Sequence, residues 1–305
     1  MDDNLRKALG QLDQIILGKP DVLRLALASL LAKGHVLIED VPGVGKTTLA
    51  TALARCLGLE MKRIQFTSDM LPGDIVGTSI FEAAKSEFIF HPGALFTQVV
   101  MADEVNRASP KTQSALLEAM EEGRVSVDGI RHPLPDPFFV IATQNPGYQR
   151  GTFPLPESQL DRFMMKLSLG FPGRDAERDL LSGPNRRDLI DGLEPLFSGE
   201  ELVALQQKIP EVETADPLLD YVLDLLTYTR ETGAENTGLS PRAGMALTRS
   251  AQAWAYLEGR PMVIPEDIQK VAPYVLGHRL SAATGADAQT GHAMVQELLS
   301  KVPIK

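Results

Sequence analysis

The chain has 305 residues, 44% of them hydrophobic and 23% charged, which is typical of a folded globular protein and excludes a disordered chain. Its net charge of −10 disfavours a general nucleic-acid coat, although a local basic groove stays compatible with that charge. The single cysteine, Cys56, excludes an internal disulfide and indicates a reducing, cytoplasmic location. The charged N-terminus and the short apolar runs predict neither a signal peptide nor a membrane segment.

Helices and strands alternate in the predicted elements of the first half. Apolar periodicity predicts a helix over 21–33, ending at Gly34. A second helix is predicted from Ser109, its N-cap, through Pro110 to Gly123. Apolar runs of strand type predict five strands, at 35–39, 62–66, 99–103, 138–143 and 164–169. This alternation predicts an α/β fold, with a parallel five-stranded sheet flanked by helices.

The strand pattern stops near residue 172, and only helix signals follow. Helices are predicted to begin at four caps, Ser198–Glu201, Asp216-Pro217, Ser240-Pro241 and Pro265. We therefore expect two domains, an α/β core of residues 1–172 and an all-α lid of residues 173–305. Trp254 is expected in the core of the helical domain.

Residues 39–50, EDVPGVGKTTLA, join the first strand to a helix through a glycine-rich turn. The N–H groups of such a turn and the following helix N-terminus bind phosphate. Lys46 would reach the β- and γ-phosphates of ATP, and the Thr47 hydroxyl would ligate Mg²⁺. The remaining nucleotide-binding candidates are Pro42, Gly43, Val44, Gly45 and Thr48. Asp40 replaces the first glycine of the general pattern, so an ordinary strand–helix turn remains the alternative.

A second candidate site, TQVVMADEVNRA, places Asp103 and Glu104 at the end of the third strand. The first carboxylate can hold Mg²⁺ through water, and the second can polarise a water for attack on the γ-phosphate. A buried acidic pair that only caps the strand is the alternative. Ligands of parallel sheets bind at the carboxyl ends of the strands, so these residues, the loop and Asn145 are expected to converge.

Four blocks of the sequence together resemble the MoxR family of AAA+ ATPases: VPGVGKT, ADEVNRASPKTQSALLEAMEE, ATQNP and LPESQLDRF. The resemblance extends over the whole chain, the helical lid included. It implies that Asn145 is sensor 1, which orients the attacking water beside Glu104. A turn asparagine before Pro146 is the alternative.

The resemblance also implies roles for two arginines. Arg162 matches the arginine finger, which acts on the nucleotide of a neighbouring subunit, and a surface pair with Asp161 is the alternative. Arg242 matches sensor 2. Its place in the first turn of a lid helix is unfavourable for a cation unless an anion lies near, which favours a phosphate partner.

Two further segments keep two interpretations each. Arg107 would contact a neighbouring subunit or cap the helix that begins after Ser109. In the family, the segment with Ile16 and Leu17 lines the adenine, but an apolar segment of this kind fits the protein core equally well.

Two insertions separate the chain from a minimal nucleotide-binding core. Residues about 67–93 correspond to a helix-2 insert, and residues about 124–134 to a pre-sensor-1 hairpin, with Asp128-Gly129 as its turn. In related hexamers these insertions face the central pore. Arg131 and His132, near the hairpin tip, do not by themselves predict nucleic-acid or metal binding.

The resemblance implies an ATPase that works as a homo-oligomeric ring, most commonly a hexamer. Its expected task is chaperone-like remodelling or maturation of partner proteins, including metal insertion, with clients or adaptors that carry von Willebrand factor A domains. A ring-shaped nucleic-acid translocase is the main alternative, and the acidic balance weighs against it. A switch that binds ATP without turnover is a third interpretation, which an intact Glu104 argues against.

Overall fold

The computed structural model describes residues 2–146, 151–232, 238–284 and 288–304. Its strands are β1 Val36–Glu39, β2 Met61–Gln65, β3 Gly77–Glu82, β4 Glu87–Pro92, β5 Val99–Asp103, β6 Arg124–Val127, β7 Ile130–Pro133, β8 Phe139–Gln144 and β9 Met165–Leu167. Five of them form one sheet in the order β2-β5-β8-β1-β9, and every pair in it is parallel. The predicted five-stranded α/β core is confirmed.

The described helices in the first half are α1 Asp3–Ile15, α2 Pro20–Leu31, α3 Lys46–Cys56, α4 Pro72–Val76, α5 Pro110–Glu122 and α6 Glu157–Leu160. Those after the sheet are α7 Arg174–Ser182, α8 Arg186–Asp191, α9 Gly199–Lys208, α10 Asp216–Thr232, α11 Pro241–Leu257, α12 Pro265–Thr284 and α13 Ala288–Lys301. The side chains of Ser109, Ser198 and Ser240 cap α5, α9 and α11, as their sequences predict. Within the described residues, no helix is both long and apolar enough to cross a bilayer.

The central strands are apolar because helices cover both faces of the sheet. Alternate residues of β5 enter two separate hydrophobic clusters. Val100 and Ala102 join one that includes Leu116 and Leu117 of α5. Val99 and Met101 join the other, which holds α1, α2, α3 and the helices of the second half, Trp254 among them. The second half is therefore packed against the sheet layer through a shared core.

Two hairpins, β3–β4 and β6–β7, stand outside the main sheet at the two predicted insertions. Asp128 and Gly129 have φ angles of 51° and 78°, as the predicted two-residue turn requires. The hairpins touch through Phe90 and His132, whose rings stack with centroids 3.8 Å apart. His132 is thereby engaged in packing between the two insertions.

Because all five strands of the sheet run the same way, their last residues share one edge, here called the carboxyl edge. The residues that precede the strands lie at the opposite, amino edge. His35 lies there, and its ring accepts the Val140 N–H at Nδ1 while Nε2 lies 3.0 Å from the Met120 carbonyl. The two edges position two different sets of candidate functional residues.

Candidate functional site

The glycine-rich turn lies at the carboxyl edge, between β1 and α3. Gly43 and Gly45 have φ angles of 87° and 97°, a conformation that is strained for residues with a side chain. The backbone N–H groups of residues 43–48 have no acceptor among the described residues. Six free donors at a helix N-terminus form a site suited to an anion such as a phosphate group.

Lys46, the first residue of α3, is buried beside this turn. Its ammonium donates to the Asp40 carbonyl at 2.6 Å and to Asn145 Oδ1 at 3.2 Å. Burial lowers the pKa of Lys46, and nearby carboxylates oppose that effect, with Asp40 and Asp103 the strongest. The structure thus holds a desolvated cation next to unpaired backbone donors, an arrangement that would attract a polyphosphate.

Asp103, at the end of β5, is buried and held on both carboxylate oxygens. Thr143 of β8 donates its hydroxyl to Oδ1 at 2.6 Å, and Arg63 of β2 contacts Oδ2 at 2.5 Å. The same Thr143 oxygen accepts the Glu104 N–H at 2.9 Å. Neighbouring strands therefore fix the acidic pair relative to the sheet, which a cap of the strand alone would not need.

Glu104 has a φ of 56°, in the left-handed region that a non-glycine residue occupies at a cost of about 1–3 kcal/mol. Its carboxylate contacts three donors: Asn145 Nδ2 at 3.1 Å, Gln65 Nε2 at 3.1 Å and Arg107 Nη1 at 3.0 Å. The Asn145 amide thus bridges Lys46 and Glu104, using its oxygen for one and its nitrogen for the other. Loop, acidic pair and asparagine meet at one place, as expected from the parallel sheet.

Asp40 accounts for the departure from the general loop pattern. Its carboxylate accepts the Ser168 hydroxyl at 2.9 Å and the Gly170 N–H at 2.6 Å, and both donors follow β9. It also accepts the Val41 N–H at 2.9 Å. Where the general motif has a flexible glycine, this chain ties the start of the loop to the segment that leads into the second half.

Arg107 and the segment with Ile16 and Leu17 each had two interpretations from the sequence. Arg107 pairs with Glu104 within the chain, and the cap of α5 is formed by Ser109, so the capping role of Arg107 is wrong. Ile16 is buried in the hydrophobic cluster that holds α1, α2 and α3, and Leu17 is partly exposed. Ile16 thus occupies the core position that was one of its two interpretations.

Arg162 and Arg242 lie away from this site, at the amino edge. Both contact the carboxylate of Glu121 near the end of α5, Arg162 at 2.9 Å, and Arg162 also donates to the Leu117 carbonyl at 2.8 Å. The edges are separated by at least the length of β1, about 13 Å at ~3.3 Å per residue. The alternative pair of Arg162 with Asp161 is wrong, because Asp161 pairs with Arg279.

Next to these arginines lies a cavity of about 510 Å³, lined by residues of α5, the β6–β7 hairpin and the α6 segment. A second cavity of about 260 Å³ adjoins it and includes both Arg162 and Arg242. The amino edge is therefore a concave, charged surface in the isolated chain.

Sequence reasoning missed four residues of the carboxyl edge: Arg63, Gln65, Thr143 and Ser168. Each stands in or beside a strand of the sheet, and the polar residues near the ends of β2 and β8 were the available signal. Within the described residues, no group of three or more His, Cys, Asp or Glu side chains is arranged to hold a metal ion alone. The Thr47 hydroxyl and the Asp103 carboxylate are oxygen groups of the kind that bind Mg²⁺ together with phosphate oxygens and water.

The comparisons with known proteins agree with this geometry. Residues 35–165 match the family described as "ATPase family associated with various cellular activities (AAA)", and residues 227–298 match the "AAA lid domain". A crystal structure of a Cytophaga hutchinsonii protein superposes with a TM-score of 0.85 and 34% identity, covering 99% of this chain and 95% of that one.

Two relatives carry the family assignment. The chain is 48% identical to YeaC of Bacillus subtilis over 305 residues, 99% of this chain and 95% of that protein. It is 39% identical to Chaperone MoxR1 of Mycobacterium tuberculosis over 290 residues, 90% of this chain and 75% of that protein. With these identities over most of both chains, this chain belongs to the MoxR family of AAA+ ATPases.

Proposed function

We propose that this chain hydrolyses ATP as one subunit of a ring, with each nucleotide held between two neighbouring subunits. The observation that carries the proposal is the separation of the candidate residues onto two opposite edges of one chain. The carboxyl edge has the phosphate-binding and water-activating groups, and the amino edge has the two arginines. Head-to-tail contact between two copies would bring the two sets together.

At the carboxyl edge, the N–H groups of the turn and Lys46 would bind the β- and γ-phosphates. The Thr47 hydroxyl and the Asp103 carboxylate are the groups that would hold Mg²⁺, which neutralises phosphate charge when bound. Pro42 to Gly45 and Thr48 would complete the phosphate-binding loop. Ile16 and Leu17 lie beside Gly18 in the turn between α1 and α2, and the partly exposed Leu17 would border the base.

Glu104 is proposed as the base that polarises the attacking water, and Asn145 as the residue that orients it. In the structure, Gln65 and Arg107 also engage the Glu104 carboxylate. Among the described residues, Oε1 of Glu104 accepts one hydrogen bond, from Asn145, and so keeps an acceptor site for the proton of the attacking water.

Arg162 and Arg242 are proposed to act on the nucleotide of the adjacent subunit, where added positive charge stabilises the separating phosphoryl group. An arginine supplied in this way contributes about 10³–10⁵ in rate. Both would exchange Glu121 for phosphate on assembly. Arg242 cannot reach the phosphate loop of its own chain without leaving the amino edge, because Glu121 and Arg162 lie beside it.

The ring, a hexamer in this proposal, would transmit the nucleotide state to client proteins, remodelling or maturing them, metal insertion included. The β3–β4 hairpin is the proposed client contact, because Phe81 and Phe88 pair there with 53% and 72% of their surfaces exposed. Clients or adaptors with von Willebrand factor A domains belong to the same proposal, as does the division into a core of residues 1–172 and a lid of residues 173–305.

The test combines three variants with measurements of ATP binding, ATP hydrolysis and ring size. Lys46→Ala is expected to lose ATP binding, whereas Glu104→Gln and Arg162→Ala keep binding and lose hydrolysis. Mixed rings of the last two variants should recover activity, because an intact Glu104 then meets an intact Arg162 from its neighbour. Rings that mix without any recovery would contradict shared sites.

The client part has its own experiment. Glu104→Gln chains held in ATP should retain a client on affinity capture, and the same variant with Phe81→Ser and Phe88→Ser should not. Equal capture by both would remove the hairpin from the proposal. Strong stimulation of hydrolysis by DNA at moderate salt, with no protein client retained, would favour the translocase instead.

A further inference from the structure

The guanidinium of Arg279, on α12, is buried and points into the core rather than to solvent. It donates from Nε to Asp161 Oδ1 at 2.6 Å and from Nη2 to the carbonyls of Asp161 at 3.0 Å and Phe163 at 2.9 Å. Only 6% of its side chain is exposed. One helical side chain of the second half thus fixes both the side chain and the backbone of residues 161–163.

The residue between these contacts is Arg162. Arg279 hydrogen-bonds the residues on both sides of Arg162, Asp161 and Phe163. The Phe163 side chain is fully buried. His278 adds a ring contact, 3.2 Å from Nε2 to the Phe163 carbonyl. The Arg162 side chain itself contacts Leu117 and Glu121 of α5.

Asp161 also reaches the start of α11. The Ser240 hydroxyl lies 3.4 Å from Asp161 Oδ2, and Ser240 caps the helix in which Arg242 is the second residue. One carboxylate therefore contacts Arg279 of α12 and Ser240 of α11. Through these two contacts it joins the backbone that carries Arg162 to the backbone that carries Arg242.

We infer that Asp161 and Arg279 are positioning residues that hold Arg162 and Arg242 together as one unit for use on a neighbouring nucleotide. The inference rests on the proposed function, in which both arginines act in the adjacent subunit. Its physical basis is that an arginine finger works by placement, and a misplacement of about 1 Å can cost about 10²-fold in rate. A rotation of the second half would move both arginines together through this pair.

The bland interpretation is that the pair only attaches the second half to the sheet. Buried ion pairs contribute little net stability compared with apolar side chains of similar size, so attachment alone is weak grounds for one. The chain already attaches these parts through a large shared hydrophobic cluster. If the pair positions the arginines, changing Arg279 impairs ATP hydrolysis at the site of the neighbouring subunit. If the pair only attaches the second half, that site is not selectively impaired.

The experiment measures ATP hydrolysis by Arg279→Met chains, alone and in mixed rings. Alone, their kcat should fall by about 10²-fold with an unchanged KM for ATP. Mixed with Glu104→Gln chains they should recover activity, because their own Glu104 then receives a well-placed Arg162. Mixed with Arg162→Ala chains they should stay inactive, because no subunit in that ring supplies a placed finger.

Arg260→Met is the matched control. Arg260, in the connection between α11 and α12, forms two 2.5 Å contacts with the buried Asp267 of α12, but it has no hydrogen bond or ion pair with residues 161–163. It should lower the urea midpoint and leave kcat unchanged. Asp161→Asn, which keeps the shape and the Ser240 contact, provides a milder variant if Arg279→Met does not fold, and it should follow the same recovery pattern.

Wild-type kcat for Arg279→Met or Asp161→Asn, or no recovery with Glu104→Gln chains in rings shown to mix, would overturn the inference. Arg162→Ala with Glu104→Gln is run beside them. If that pair recovers activity and the Arg279 variant does not, the inference is wrong and the shared nucleotide site still stands. Failure of that pair defeats the shared nucleotide site, and the inference falls with it.

Discussion

Restoring the general phosphate-loop motif should harm this protein. Asp40→Gly would give the strict pattern G-x-x-x-x-G-K-T, yet it removes a buried carboxylate that joins the loop to the segment after β9. The Ser168 hydroxyl and the Gly170 N–H would each lose a charged acceptor. Such hydrogen bonds contribute about 1.5–3 kcal/mol each, so the pair contributes about 3–6 kcal/mol.

Two smaller effects modify this figure. The added glycine costs about 0.5–1 kcal/mol of backbone entropy, while removing a buried charge relieves its desolvation. We therefore expect a loss near the lower end, about 3 kcal/mol, measured as the free energy of unfolding in urea. Asp40→Asn, which keeps an acceptor oxygen but no charge, should lose less.

A double-mutant cycle with Ser168→Ala separates the two partners. If Asp40 acts through Ser168, the second change should cost little once Asp40 is gone, with a coupling energy of about 1.5–3 kcal/mol, the value of one such hydrogen bond. An Asp40→Gly chain as stable as the wild type, with simple additivity in the cycle, would show that the anchor has no energetic role and that Asp40 is an incidental departure.

Three other predictions concern single residues. Burial lowers the pKa of His35 to about 4, so the unfolded chain binds a proton that the folded chain refuses. Stability should therefore fall as the pH drops from about 6.5 to about 4, by up to ~3 kcal/mol, and less in His35→Gln on urea titration; parallel pH curves would contradict this. Burial raises the pKa of Cys56 to about 12, so a disulfide reagent should modify the native thiol far more slowly than the urea-unfolded one, and equal rates would refute its burial. Gly45→Ala should cost about 1–2 kcal/mol, because its φ of 97° is strained for alanine, and should weaken ATP binding by calorimetry; unchanged affinity would remove Gly45 from the loop.

The carboxyl edge was predictable because local patterns there carry topological consequences. Apolar runs ending in Asp103 and Asn145, and a turn ending in Lys46, predict three parallel strand ends. Parallel strands necessarily place those ends on one edge. That Asn145, Lys46 and Glu104 lie at one edge follows from that rule, but their direct contacts also require β8 to lie between β1 and β5.

The partners of these residues were not predictable in the same way. Arg63, Gln65 and Thr143 contribute through pairing of β2 with β5 and β5 with β8, an order that no local pattern specifies. Asp40 could be noticed as a departure, but its acceptor role depends on β9 lying beside β1. Sequence patterns predict which residues lie at the ends of strands, whereas the order of the strands decides which of those residues come into contact.

The place of Arg242 shows where the local argument stops. A cation in the first turn of α11 requires an anion nearby, and that expectation is met, but by Glu121 and not by a phosphate. Glu121 serves two guanidiniums at once, so this part of the amino edge keeps a surplus positive charge. At the carboxyl edge the described charges balance within the chain, in the pairs Glu39–Lys166, Asp103–Arg63 and Glu104–Arg107, with Asp40 beside Lys46.

A triphosphate bound at the carboxyl edge would add negative charge to a set of groups that is already neutral. In the proposed ring, the compensating charge would come from the bound cation and from the neighbouring subunit. The surplus at the amino edge has the required sign, and the segments that carry its two arginines are joined by the part-buried contacts of Asp161 with Arg279 and Ser240. Charge balance thus gives a reason, independent of any resemblance, for one copy of the chain to complete the site of the next.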